Sequence, residues 1–449
     1  MSDRTPAPPL VVGRDLPPGP HLPQTAQMLL WFLAIVPFSR WCRRHYGSTF
    51  TINLPFNGLV VQVCDPHGVR QVFAAPPDDA RAGEANLVLQ PLLGSRSVLL
   101  LDGAEHLRER RRMLPAFHGD RLQALRPLIE EITLDELRRW RTGHELALRG
   151  PMQRITLEVI LRAVFGVDKG AQLSDMRDAL GALLSTNGQV GLLPGLRHDW
   201  GPRSPWGRFL RNRARVDDLV YRLIRERRAE VEHTADSARS DILHTLLLAR
   251  DADDGRSMTD AELHDELLTL LVAGHETTAT ALTWFFVLVL RHPAALHRLR
   301  EEVEAGASTE WLDACIRETL RVRPVIPVVA RRLYAPLQVA GRVLPAGVAV
   351  APNILVTQRS ETVFDGALSF RPERFLGSRP DPGTYFPFGG GTRRCLGAAF
   401  AHAEMRAVIT TVLQHATLRP VGRDERIRRR AVTRVPRRGG RVRVTRLAV

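Results

Sequence analysis

Cys395 stands in Phe388-Gly389-Gly390-Gly391-Thr392-Arg393-Arg394-Cys395-Leu396-Gly397, a stretch too rich in glycine to be helical. Phe388 precedes the cysteine by seven residues and Arg393 by two, and a run of good helix formers begins soon after it. Three consecutive glycines let the backbone approach something large and flat, and they leave amide N–H groups free to point at the sulfur. Directed N–H groups and nearby guanidiniums favour the ionised thiol, which is the form that ligates a metal. A lone cysteine is commonly no more than a small buried hydrophobe. An aromatic residue, two glycines and an arginine at fixed offsets point instead to a metal-bound thiolate. A glycine-rich loop entering a helix can also cradle phosphate, but the strand-loop-Lys-Ser/Thr order of such a loop is missing here.

Three further groupings bear on chemistry. Ala273-Gly274-His275-Glu276-Thr277-Thr278 places an acid and a hydroxyl beside two small residues that would let a bulky group lie close. His275-Glu276 also begins an HExxH zinc pattern, but Ala279 stands where the second histidine would fall. Glu318-Thr319-Leu320-Arg321 sets a carboxylate and a guanidinium on one helix face, a spacing that most often gives a solvated pair of under about 1 kcal/mol. Gly103-Ala104-Glu105-His106-Leu107-Arg108-Glu109-Arg110 sets His106 and Arg110 on one face, with Leu114-Pro115-Ala116-Phe117 closing the segment. Arg108, Arg111 and Arg112 read as solvated.

Together these residues resemble the cytochrome P-450 family. The cysteine segment fills every specified position of its haem-thiolate loop, Phe-x-x-Gly-x-Arg-x-Cys-x-Gly. Residues 273–278 fill its oxygen-activation motif, Ala/Gly-Gly-x-Asp/Glu-Thr-Thr/Ser. The resemblance spans residues 17–445, is of the soluble bacterial type, and is closest in flavour to actinobacterial members. It implies a mainly α fold with small β-sheets (α+β), the haem lying between a long central helix and the helix that follows the cysteine loop. It implies haem b, with Cys395 as axial iron ligand and Phe388, Gly391 and Gly397 lining the cofactor. His106, Arg110, Arg331 and Arg393 would hold its propionates. Ala273 and Gly274 would receive dioxygen, Thr277 would hydrogen-bond to it, and Glu276 would help relay protons from solvent. Glu318 and Arg321, with Arg374 from Phe370-Arg371-Pro372-Glu373-Arg374-Phe375, would form a buried structural network holding the cysteine loop, where lysine is a poor substitute for arginine.

The implied activity is a monooxygenase that inserts one oxygen atom of O2 into a C–H bond of a lipophilic small molecule. Electrons would come from a ferredoxin and its reductase, drawn to arginines that include Arg108, Arg111, Arg112 and Arg394. Substrate walls are expected at Ala85–Val98, near Gly188–Trp206, at Leu270 and Ala273, and at Val325–Val329 and Ala431–Thr433. A peroxide-driven peroxygenase or an isomerase on the same fold is the alternative enzyme. An arginine-rich nucleic-acid-binding protein is the alternative outside enzymology.

The elements that must position these groups are legible in part. Residues 1–25 hold seven prolines and read as an extended arm, with residues 26–449 as one domain. Thr49–Leu54 and Leu59–Cys64 read as a hairpin around Pro55–Gly58, and a short helix follows Asp65-Pro66. Helices are predicted over Glu105–Arg112, Leu122–Trp140, Thr156–Phe165, Ser174–Leu184 and Val216–Glu232. Gly188–Gly207 reads as a loop long enough for a lid, and polar linkers span His233–Ser240 and Asp251–Ser257. Thr259-Asp260-Ala261-Glu262 is a capping box that opens a helix of roughly 30 residues, ended by His292-Pro293. Strands recur around Leu337–Val343 and Arg430–Val444.

Composition narrows the class. The chain has 449 residues, 44% hydrophobic and 25% charged, ordinary for a soluble globular protein. Its net charge of +15 could suggest nucleic acid, but Lys169 is the only lysine and the arginines are scattered, with no binding module beside them. Cys42, Cys64, Cys315 and Cys395 lie far apart, so neither a disulfide framework nor a zinc ribbon is indicated, and a reducing cytoplasm fits. No secretory signal is evident. The apolar stretch Met28–Val36 stops at Pro37 and Arg40, short of the about 20 residues that a membrane-spanning helix needs. It reads as an amphipathic helix packed on the domain.

Overall fold

The structure, a computed structural model, describes residues 16–55, 58–117, 119–168, 170–185, 197–201, 203–233, 239 and 241–449. Two compact units emerge. One comprises residues 1–87, 101–105 and 317–395, the other residues 88–100, 106–316 and 396–449.

In the first unit, alternation sets the sheet. Phe50, Ile52 and Leu54 are buried and their neighbours half-buried, so strand Thr49–Leu54 turns one face inward. It pairs antiparallel with Gly58–Val63, Ile52 opposite Val60. The five-stranded sheet runs in the order Thr49–Leu54, Gly58–Val63, Ala349–Pro352, Arg331–Leu333, Ala80–Arg81. One of its faces packs Phe50, Ile52 and Val60 against Trp31, Ile35, Phe38 and Cys42 of helices Gln24–Leu33 and Ile35–Tyr46. The other face packs Val61 and Val63 against Val69 and Val72 of helix Pro66–Ala74, together with Phe386. That second layer seats the cysteine loop, because Phe386 lies nine residues before Cys395. Pro37 does not stop the N-terminal apolar run as expected. It sits in the first turn of the second helix, where proline is tolerated.

The second unit is built on helix Asp260–Val289. Its N-terminus carries the expected capping box, with Thr259 Oγ1 accepting from the Glu262 amide and Glu262 Oε2 accepting from the Thr259 amide. Helices Arg149–Val159, Pro205–His233 and Ala398–His415 pack on it. A three-stranded sheet of Glu145–Ala147, Arg441–Leu447 and Ala416–Pro420 and a hairpin of Ile427–Arg430 with Thr433–Pro436 complete the unit. Trp284, wholly buried, ties the helix to that hairpin by donating to Arg434 O at 2.7 Å.

Several boundaries differ from the sequence expectations, each for a local reason. The segment 122–140 divides into Asp120–Ala124 and Arg126–Leu137 because Pro127 can only open a helix. The helix expected to start at Thr156 begins at Arg149, with Pro151 in its first turn. The helix expected at Val216 begins at Pro205, so residues 205–207 of the expected lid open a helix instead. Residues 186–196 and 202 of that lid, most of the linker 233–240, and Lys169 lie outside the described residues. Among the described residues, no single helix is long and apolar enough to cross a membrane.

Candidate active site

The first unit holds the cysteine and two of the basic residues. Cys395 N donates to Phe388 O at 2.9 Å, which closes the loop and returns the aromatic residue to the cysteine. Gly389 and Gly391 have φ of +68° and +64°, a conformation that L side chains rarely adopt. A Cβ on Gly390 would lie 2.3 Å from the Phe73 ring, and one on Gly391 would lie 2.1 Å from Phe73 O. The loop therefore rests directly on helix Pro66–Ala74, and Phe73 meets Phe386 edge-on at 5.5 Å. Residues 394 and 395 are exposed, while Cys42, Cys64 and Cys315 are buried. Burial pushes the Cys42 and Cys64 thiols up to about 12. Cys395 is thus the one accessible thiol.

This seating gives a first prediction. Gly391→Ala should lower the melting temperature and the haem content together, since the positive φ alone costs about 1–2 kcal/mol and the methyl would have to displace Phe73. Gly397→Ala should be close to neutral for the stability of the haem-free protein. Its φ is −83° and its Cβ would meet nothing within 4 Å. Thermal unfolding of both variants separates the two cases, and equal losses would contradict the seating.

Arg331 and Arg393 lie within electrostatic reach of each other. Arg331 is buried, donates to Ala330 O at 2.9 Å, and has its pKa pushed down to about 10 by burial and then by Arg393. Arg393 reaches the Asp102 carboxylate and Leu101 O. Asp102 also accepts the amides of Ala82, Gly83 and Glu84 at 2.9, 2.8 and 3.1 Å. Two guanidiniums therefore share one carboxylate that is already committed to backbone. Two neighbouring guanidiniums, that of Arg331 buried, fit an anionic propionate, and the exposed cysteine beside a glycine cradle fits a haem iron. Sequence reasoning missed Asp102, which has no spacing motif of its own.

Glu318, Arg321 and Arg374 are brought together. Arg321 is wholly buried and donates Nε and Nη2 to the Glu318 carboxylate at 2.7 and 2.8 Å. Its remaining N–H groups reach Gln358 O, Ala367 O and Ser369 O at 2.6, 2.8 and 3.1 Å. Arg374 Nε reaches Glu318 Oε1 at 3.3 Å, and the Arg371 amide donates to the same oxygen at 2.8 Å. These bonds tie the network to segment 358–371. The link onward is Gln358, whose buried side chain accepts the Phe386 amide at 2.8 Å and donates to Leu320 O at 3.1 Å. Gln358 was not singled out from sequence.

In the second unit, the long helix is buried along most of its length, but Asp260 and Ala261 in its first turn and Leu270, Val272, Ala273, Gly274, Glu276 and Thr277 further along are not. Leu270, Ala273, Gly274 and Thr277, at i, i+3, i+4 and i+7, share one face, and a Cβ on Gly274 would lie 3.2 Å from Ile160 Cδ1. Thr277 Oγ1 donates back to Ala273 O. Glu276 points to a neighbouring side: Arg149 Nη2 reaches its oxygens at 2.9 and 3.2 Å, Gln153 Nε2 at 2.7 Å, and Arg430 Nε lies 3.8 Å away. Arg149 and Gln153, one turn apart on the adjoining helix, were missed because nothing in their local sequence marks them. His275 is buried, bonded to Thr156 Oγ1 at 2.9 Å, with its pKa pushed down to about 4 by burial. It is a neutral packing residue and, among the described residues, no cluster of metal-ligating side chains surrounds it.

His106 is buried and Arg110 half-buried on helix Gly103–Met113. The expectation that Arg112 is solvated is wrong. It is buried, with Nε 3.1 Å from Asp251 and Nη1 3.3 Å from Glu109, because the 251–257 turn folds back over the helix. Arg108 also approaches Asp251, at 3.4 Å, and Arg111 remains exposed. Part of the expected substrate wall is fastened to the long helix, since Asp265 accepts the Arg96 amide at 2.9 Å and Glu266 the Val98 amide at 2.6 Å.

The family model described as cytochrome P450 matches residues 17–439. A Mycobacterium tuberculosis protein assigned the name cytochrome P450 135B1 is 40% identical over 438 residues, covering 96% of this chain and 91% of its own length. Another from the same organism, assigned the name cytochrome P450 138, is 40% identical over 439 residues, covering 97% of each. Among solved structures, cyanobacterial CYP120A1 with bound retinoic acid superposes with a TM-score of 0.81 at 25% identity, over 96% of this chain and all of that one. The cytochrome P450DA heme domain superposes with a TM-score of 0.81 at 21% identity, over 96% and 97%.

Proposed function

The chain belongs to the cytochrome P450 family and is a haem monooxygenase, and from that premise we propose that it hydroxylates a C–H bond of a lipophilic small molecule with electrons from a separate ferredoxin and reductase. The cofactor we assign is haem b, held by Cys395 through its thiolate and by Arg331 and Arg393 through its propionates, with His106 and Arg110 as further propionate partners. When bound, it supplies the activation of dioxygen, and the protein supplies ligand, protons and placement. Phe388, Gly391 and Gly397 line it.

The observation that carries this reading is the less-buried face of the long helix, on which Ala273 is exposed and Leu270, Gly274 and Thr277 are half-buried. A hydroxyl there can pass a proton to bound dioxygen, and the carboxylate of Glu276 can renew it. Arg149 and Gln153 hold that carboxylate in place. The wall residues expected from sequence are mostly aliphatic, which suits a terpenoid, fatty acid or steroid. The retinoic acid bound to the cyanobacterial neighbour is of that apolar character. Exposed Arg111 and Arg394 suit an acidic iron–sulfur donor, whereas Arg112 is internally paired and takes no part in steering. Four cysteines without a disulfide suit a reducing cytoplasm.

The test uses the holoenzyme with NADPH, a ferredoxin and its reductase, and lipophilic compounds chosen by their shift of the haem absorption band. Oxygen uptake should match product in the wild type. Thr277→Ala should keep consuming oxygen while product falls by roughly a hundredfold or more, the lower bound for loss of a general-acid contribution, and hydrogen peroxide rises. An unchanged ratio of product to oxygen would remove Thr277 from the relay.

A further inference from the structure

The hairpin of Ile427–Arg430 with Thr433–Pro436 buries positive charge that the fold does not balance. Its register sets Arg429 directly opposite Arg434, and Arg430 opposite Thr433. Successive residues of a strand point to opposite faces, so Arg429 and Arg434 share one face and Arg430 lies on the other. Arg430 finds its counter-charge in Glu276, 3.8 Å from its Nε. Arg434 has none among the described residues. It is 3% exposed, and its Nε and Nη1 are buried without a hydrogen-bond partner. Burial and then the charge of Arg429 push its pKa down to about 10, still far above neutrality. A buried guanidinium left in this way is costly to the fold.

The backbone that carries the pair is firmly held. Trp284 donates to Arg434 O at 2.7 Å, Arg429 Nε to Ala431 O at 2.7 Å, and Thr433 Oγ1 to Arg430 O at 2.9 Å. At the tip, Ala431 has a φ of +51°, a sign shared among the described non-glycine residues only with Ala340. Strain of this kind persists where the surrounding contacts impose it, and it gathers at ligand clamps. Val432, beside it, is 43% exposed, so the tip is open above the two arginines.

We propose that Arg434, with Arg429 across the hairpin, receives a carboxylate carried by the lipophilic substrate and makes the enzyme select acids over the corresponding alcohols. This subsite presupposes the hydroxylation of a lipophilic molecule, and it names the polar group of that molecule. A guanidinium takes a carboxylate through two parallel N–H···O bonds, which suits Arg434, and Arg429 adds a second positive charge. The contact of Arg430 with Glu276 sets the hairpin beside the turn of the long helix that carries Thr277.

The test titrates the holoenzyme with matched pairs: dodecanoic acid and dodecanol, abietic acid and abietol, and lithocholic acid and the alcohol made by reducing its carboxyl group. The readout is the shift of the haem absorption band. In at least one pair the acid should bind at least about tenfold more tightly than its alcohol. Arg434→Met should bring that acid to the affinity of its alcohol and leave the alcohol's affinity unchanged. The variant should keep the red-shifted Soret band under carbon monoxide. Its ligand-free form should melt no lower than the wild type, because methionine removes an unpaired buried charge. No pair with a preference for the acid, a preference that survives in Arg434→Met, or a lowered melting temperature in that variant overturns the proposal. So does wild-type protein stabilised by inorganic phosphate while acids and alcohols bind alike, which makes this a site for free anions. Hydroxylation of an alcohol without any preference for its acid removes only this subsite and leaves the monooxygenase reading standing.

Discussion

Arg321→Ala is expected to cost about 3–5 kcal/mol, a large part of the about 5–15 kcal/mol stability of a typical domain. The wholly buried Glu318 carboxylate would lose its principal partner, leaving Arg374 Nε at 3.3 Å and the Arg371 amide. Three backbone carbonyls, Gln358 O, Ala367 O and Ser369 O, would lose their donor at the same time. Arg321→Lys should rescue little, because an ammonium cannot serve a bidentate carboxylate and three carbonyls in one plane. Removing both charges in Glu318→Gln/Arg321→Met should also recover little, since the carbonyls remain orphaned. The measurement is the melting temperature and the yield of folded haem protein across the three variants. Wild-type stability in the double variant would reduce the network to mutual compensation of two charges.

Cys395→Ser should abolish turnover with little change in the stability of the haem-free protein. A serine hydroxyl does not ionise to supply the electron-donating ligand. The side chain is exposed, so the substitution should move folding stability by no more than about 0.5 kcal/mol. Accessibility provides a second readout that does not depend on activity. With Cys42, Cys64 and Cys315 buried, a polar thiol reagent should label one cysteine per haem-free chain, and Cys395→Ser should remove that labelling. Loading with haem should protect the same thiol. Labelling of two or more thiols in the folded protein, or retained turnover in the serine variant, would contradict the assignment.

What could be read from residues alone follows the range of the interactions. The capping box at Thr259, the hairpin at Thr49–Val63 and the pair Glu318–Arg321 are local, so their spacing carried them. The cysteine loop was legible because positive-φ glycines and close backbone approach leave a composition that little else needs. Asp102 beneath Arg393, Arg149 and Gln153 on Glu276, and Gln358 under Phe386 were invisible. Each joins residues 28 or more positions apart, and a solitary polar residue on a helix or turn resembles a solvated one until its partner is placed. Arg112 failed for the same reason, since Asp251 is 139 residues away. Helix starts at Arg149 and Pro205 were missed because proline in a first turn reads as a breaker. The outward leucines of the first helix reverse the usual pattern, as the polar Gln27 is the residue that the fold buries.

The most direct measurement is the absorption spectrum of the reduced protein under carbon monoxide. Thiolate ligation by Cys395 predicts a Soret band displaced to the red in the wild type and absent from Cys395→Ser. A wild-type band at the position given by histidine ligation, or one indistinguishable between the two proteins, would contradict the account at its centre.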